Sequence, residues 1–151
     1  MRRSSSLFIA LALILSAGPA LAHYPVNLKA SHNTVSKSPI LLDGTISFAV
    51  YADFSKAKEK RSVRFALKKG DELSVEYLIV DAMPTNKLKS SQLPLITITT
   101  PSGKKIVMKI NERSPFYEPY GKKNYFFLSR ISQGGEAGIY SITATAKTKS
   151  S

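Results

Sequence analysis

The chain contains no cysteine. That absence rules out thiol catalysis, iron–sulfur clusters, thiolate zinc sites and a lipid anchor carried on cysteine. It also rules out disulfides, which many exported domains use but a chain of this length can do without. Tryptophan is absent too, which weakens a carbohydrate-binding reading. Histidine occurs only at His23 and His32, so proton-transfer chemistry has few players. Gly-x-Ser-x-Gly, His-Glu-x-x-His, a phosphate-binding glycine loop and an aspartate-rich calcium repeat are all missing. No catalytic residue can be nominated, and the chain reads as a non-enzyme. Acidic side chains are scarce, with 10 Asp and Glu against 22 Lys and Arg. Past residue 22 there is no helix-period segment, no internal repeat and no low-complexity tract.

What is present begins with an export signal. Met1-Arg2-Arg3, an apolar run from Leu7 to about Ile14, and Ala20-Leu21-Ala22 describe a cleaved secretory peptide over residues 1–22. The apolar run is shorter than the roughly 20 residues a spanning helix needs. The twin Arg lacks the rest of a twin-arginine export motif, so ordinary secretion is expected. Cleavage after Ala22 leaves 129 residues that start at His23. These carry 20 basic and 10 acidic side chains, a net charge of +10. With no second hydrophobic segment, the mature chain is expected to be soluble, without a membrane span, and secreted or periplasmic. Its charge favours anionic partners such as a cell-envelope polymer, a phospholipid surface or an envelope protein. Plain solubility explains the same charge. Export keeps the chain away from nucleic acid despite its basicity.

Period-2 alternation dominates the rest. Val63, Phe65 and Leu67 share one side, and so do Leu73, Val75, Tyr77 and Ile79 after a Lys69-Gly70-Asp71 break. A hairpin here requires Phe65 opposite Val75; a crossing to a facing sheet removes that condition. Ile46, Phe48 and Val50 form an earlier strand. Ile96 and Ile98, then Ile106, Met108 and Ile110, flank Pro101-Ser102-Gly103, a three-residue turn with Pro to preset its first position and Gly for its last. That turn places Ile98 opposite Ile106 and Ile96 opposite Met108. Asn124 to Arg130 is an aromatic run suited to a central strand, and Ile139 to Ala146 supplies the last strand. Residues 23–44 read as an irregular lead-in along a sheet edge, 53–60, 82–94 and 111–123 as loops, and 147–151 as a frayed polar tail. The expected fold is all-β over residues 45–146, an antiparallel sandwich or jelly roll of seven to eight strands. Its expected core is Phe48, Val50, Val63, Phe65, Leu73, Val75, Tyr77, Ile96, Ile98, Ile106, Phe126, Tyr140 and Ile142.

Phe65-x-Leu67-x-x-Gly70-Asp71-x-Leu73, together with the closing Ala137-Gly138-Ile139-Tyr140-Ser141-Ile142-Thr143, resembles the bacterial pre-peptidase C-terminal type of β-sandwich module. The resemblance covers about half the chain. The chain is also similar to small exported bacterial proteins of unassigned function that share a Pro-Phe-Tyr-Glu-Pro-like loop, here Pro115 to Pro119. Both resemblances imply an accessory or binding module without catalysis. Unlike the usual pre-peptidase module, this chain is expected to stand without an attached enzyme domain.

Three sets of residues are candidate sites. Phe116, Tyr117, Glu118 and Tyr120, with Tyr125 just beyond, concentrate rings around a carboxylate, suited to a sugar face or a protein contact. The same residues can instead fold over one end of the domain, with Glu118 capping backbone amides. Lys56, Lys58, Lys60 and Arg61 can grip an anionic polymer or simply form a solvated connection. Finally, a mature amino terminus at His23 offers an amine beside an imidazole, and with His32 it can make a nitrogen site for copper.

Overall fold

The two alternating runs around Phe65 and Val75 do become strands, but they do not pair with each other. They are β4 (Lys60–Leu67) and β5 (Glu72–Val80), and each joins a different sheet. Lys69-Gly70-Asp71 is therefore the crossing between sheets, with Gly70 at φ 92 and the Lys68 amide bonded to the Asp71 carboxylate at 2.7 Å. The hairpin alternative with Phe65 opposite Val75 does not occur. The computed structural model describes residues 23–150, so the export signal lies outside the described residues.

The described residues are mostly β, with ten strands and one short 3-10 turn at Thr85–Lys87 among them. The remaining strands are β1 (Tyr24–Leu28), β2 (Ile40–Leu41), β3 (Phe48–Ala52), β6 (Leu95–Thr99), β7 (Lys105–Met108), β8 (Ser114–Glu118), β9 (Lys123–Gly134) and β10 (Gly138–Thr145). They form three sheets: β1-β3, β2-β4-β10-β6-β7 and β5-β9-β8. Pairing is antiparallel except for β1 with β3 and β2 with β4. Among the described residues no sheet closes on itself. Among the described residues no helix is long and apolar enough to cross a membrane.

The hairpin β6–β7 has the register its turn dictates, with Ile98 opposite Ile106 and Ile96 opposite Met108. Gly103 sits at φ 85, where a side chain is strained, and its amide bonds to the Thr100 carbonyl at 2.9 Å. The tip packs on the start of β10, where a Cβ on Gly138 would lie 2.8 Å from the Pro101 Cβ.

One buried cluster draws on both larger sheets: Phe65, Leu67, Ile96, Ile98, Met108 and Tyr140 from one, Leu73, Tyr77, Ile79 and Leu128 from the other. Phe65 and Tyr140 stack with centroids 5.1 Å apart. Val63 is also buried, and Val75, Ile106, Phe126 and Ile142 are half-buried against the cluster. Phe48 and Val50 are not core. They belong to the two-stranded β1–β3 ribbon, where Phe48 is half-buried with its ring tilted 6.3 Å from that of Tyr24 and Val50 is 40 % exposed. Two strands cannot sandwich a side chain without a further layer.

Other expectations shift for similar reasons. The lead-in holds two strands, and it does run along a sheet edge, since Ser62 and Arg64 donate their amides to the His32 and Pro39 carbonyls. The stretch 82–94 is not wholly surface, because Leu93 is 0 % exposed and joins the core. The tail is tied down as far as Ser150, which exchanges backbone bonds of 2.7 and 3.1 Å with Phe54. Within 111–123 lies a strand, β8, at the edge of the three-stranded sheet. β9 is central as expected, with a bulge opposite Tyr77 and Leu78 that turns both Leu128 and Ser129 inward.

Candidate functional site

The aromatic candidate is a strand and a turn rather than a loop. β8 pairs with β9 so that Phe116 lies opposite Tyr125 and Glu118 opposite Lys123. Strand parity turns Phe116, Tyr125 and Phe127 to the face away from the core, where Phe116 and Phe127 meet at 5.0 Å. Burial, and then a hydrogen bond with Tyr51, push the Tyr125 phenol up to about 12. Glu118 accepts the amides of Tyr120, at 2.9 Å, and Gly121. Its carboxylate is thus engaged in its own turn, as the capping alternative expects. Tyr117 and Tyr120 stay 55 % and 61 % exposed. Beside them, Arg130 lies 4.2 Å over the Phe127 ring and holds both Glu112 oxygens, at 2.9 and 2.6 Å. Those bonds, with one from Ser114, hold Glu112 down to about 2.

The basic run is split by the strand it enters. Lys56, Lys58 and Lys60 are exposed, but Arg61 falls on the parity of Val63 and Phe65 and is 8 % exposed. Its guanidinium bonds the Lys60 carbonyl at 2.8 Å, pairs with Glu59 at 3.7 Å and lies 5.4 Å over the Phe54 ring. Arg61 is therefore a structural cation and leaves the candidate set. The connection before it is also tied, by the Lys58 amide to the Ala146 carbonyl at 2.8 Å.

The two histidines are not brought together. His23 Nδ1 meets Ser47 Oγ at 2.6 Å, while His32 Nδ1 accepts the Lys29 amide at 3.1 Å. Between them runs β1, five residues of extended chain and so roughly 16 Å. Among the described residues no group of three His, Cys, Asp or Glu is placed to hold a metal ion.

A surface that sequence reading did not single out is the face of β2-β4-β10-β6-β7 turned away from the core, which is covered at Ser62 and Ser141 and open toward β6 and β7. Register places Arg64, Ser141, Thr99 and Lys105 in one row across the sheet. Ser62, Thr143, Thr97 and Val107 form the next, and Lys60, Thr145 and Leu95 a third. The strands of this sheet contain no acid at all. Two nearby acids are already engaged. Glu59 accepts from the Ser55 amide and hydroxyl, which together lower its pKa. Glu136, before β10, accepts from the Ser102 amide and hydroxyl at 3.2 and 3.1 Å. The sequence signal for this face was the Ser/Thr alternation at 141–145 and 97–99, which acquires meaning only once the rows are aligned.

No protein-family model and no curated protein matches the chain.

Proposed function

We propose that this is an exported, non-catalytic binding module of the cell envelope, which contacts an anionic wall polymer or an acidic envelope protein. One observation carries the reading: on a chain of net +10 after the signal, the outward positions of one sheet bear Lys60, Arg64 and Lys105 and no carboxylate. Among the described residues only Arg61 and Arg130 have a carboxylate within 4 Å, so most of the cations face water. The secretory pattern in residues 1–22 supports a secreted or periplasmic place. The architecture is read as a β-sandwich, supported by the single cluster that both larger sheets share. Its likeness to pre-peptidase C-terminal modules rests on the Phe65–Leu73 and Ala137–Thr143 motifs alone.

The test is co-sedimentation of the exported protein with isolated envelopes across a salt series. Binding at low ionic strength that weakens toward 1 M salt, where the screening length falls to about 3 Å, is the expected result. Absence from the pellet at low salt would end the reading.

A further inference from the structure

We infer that the solvent face of the five-stranded sheet is the binding surface, and that its ligand is a linear phosphodiester polymer laid across the strands. This rests on the envelope-binding reading above and gives it a place and a ligand chemistry. On the open part of the face, Thr97, Thr99, Thr143 and Thr145 are half-buried, the Thr143 hydroxyl sharing a 3.0 Å hydrogen bond with buried Ser62, and Lys60 and Lys105 are exposed at either side. Neighbouring strands stand about 4.8 Å apart and same-face residues about 6.7 Å apart, so the hydroxyls form a regular grid of donors. A row of donors bounded by ammonium groups, with no acceptor charge among them, complements a chain of singly charged phosphates.

The face continues into a shallow groove of about 250 Å³, walled by Leu95, Val107, Met108 and Ile110 and flanked by Lys109 and Lys147. That groove adds two cations and an apolar floor suited to the methylene units between phosphates. Three details favour this ligand over its rivals. None of the residues on the face is aromatic, so nothing there stacks on a sugar ring. Its exposed aliphatics do not form one protruding anchor for a bilayer, since Leu95 and Val107 line the recessed groove and Ile139 stands apart at the start of β10. Arg64 contributes charge from β4, but its Nη2 is held by the Ser38 carbonyl at 2.8 Å, so the lysines and threonines make the contacts.

The test measures binding of the exported protein to poly(glycerol phosphate), with polygalacturonate and phosphatidylglycerol vesicles at matched charge as the other probes. A face variant, Lys60→Gln/Lys105→Gln/Lys147→Gln, is compared with a variant of equal charge elsewhere, Lys29→Gln/Lys87→Gln/Lys123→Gln. The face variant is expected to lose affinity on the order of tenfold or more, the other less than about threefold. The slope of log affinity against log salt should fall by about two to three in the face variant alone. Thr97→Val/Thr99→Val keeps both charge and strand shape, and should still weaken binding several-fold. Equal losses in the two lysine variants would overturn the face and leave envelope binding standing. Tighter binding to polygalacturonate or to vesicles would overturn the phosphodiester assignment. If the unaltered protein binds no probe and no envelope, both readings fall together.

Discussion

The two larger sheets share an interior but present opposite surfaces. On the five-stranded sheet, inward residues are mostly aliphatic or aromatic, outward ones are hydroxyls, cations and a few aliphatics, and no acid appears. On the three-stranded sheet, Glu72, Glu76 and Glu118 stand among Lys123 and Arg130, and the outward face carries half-buried rings. There the charges neutralise one another locally, as Arg130 does with Glu112. On the first surface no acid on the strands faces the cations, whereas on the second the charges hold the sheet's own strands and turns. Net charge alone conceals this difference, which is one of placement.

The largest test of the shared interior is Phe65→Ala, which removes a nearly buried ring stacked on Tyr140. A loss of about 3–5 kcal/mol is expected in urea unfolding. A loss below about 1 kcal/mol would mean that the sheets do not depend on that contact. A smaller effect is expected for Tyr77→Phe. The buried Tyr77 hydroxyl donates to the Pro94 carbonyl at 3.0 Å, and its burial raises the phenol pKa. Losing that bond should cost about 1 kcal/mol and leave the carbonyl unpaired.

Third comes the neutralised surface. Glu112 is held below its ordinary 4.5, at about 2, chiefly by the bonds from Arg130. A carboxylate depressed in the folded state adds stability above about pH 4.5, and that increment disappears as pH falls toward 2. Because the pair is partly exposed, the effect is modest and salt-sensitive. Glu112→Gln should flatten this acid limb of a stability–pH profile, and an unchanged limb would show the pair to be inert. The smallest effect belongs to the cationic surface: Lys105→Gln should change stability by no more than about 0.5 kcal/mol while weakening envelope binding. A fold that collapses on this change would make Lys105 structural and blur the contrast between the sheets.

How much of this was legible in the chain varies with how local the cause is. The register of β6 against β7 was readable to the residue, since a three-residue turn with Gly103 at its end admits one pairing, although β7 stops at Met108 and the alternation runs on to Ile110. Inward parity was equally readable at Val63, Phe65, Leu73, Ile98 and Tyr140. β1 and β8 were not, because Pro25 and Pro115 and the flanking polar residues mask strands that exist only through their neighbours. Leu93 was hidden by its setting between two polar residues and Pro94, and Phe54 by the charged connection around it. At the candidate site, the same parity argument that found the core could have set Lys60 apart from Arg61. The solvated-connection reading of the run obscured it.

By itself, then, the sequence determined the β character, the inward faces of the main strands and one hairpin register, because side-chain alternation and turn sterics act over a few residues. Tertiary structure alone decided that β4 and β5 belong to different sheets, that Arg61 is enclosed, and that Ser62, Thr143 and Thr97 stand in one row. Those outcomes depend on which distant strands pair, and that choice is made by how well whole faces bury one another, which no short window of sequence records.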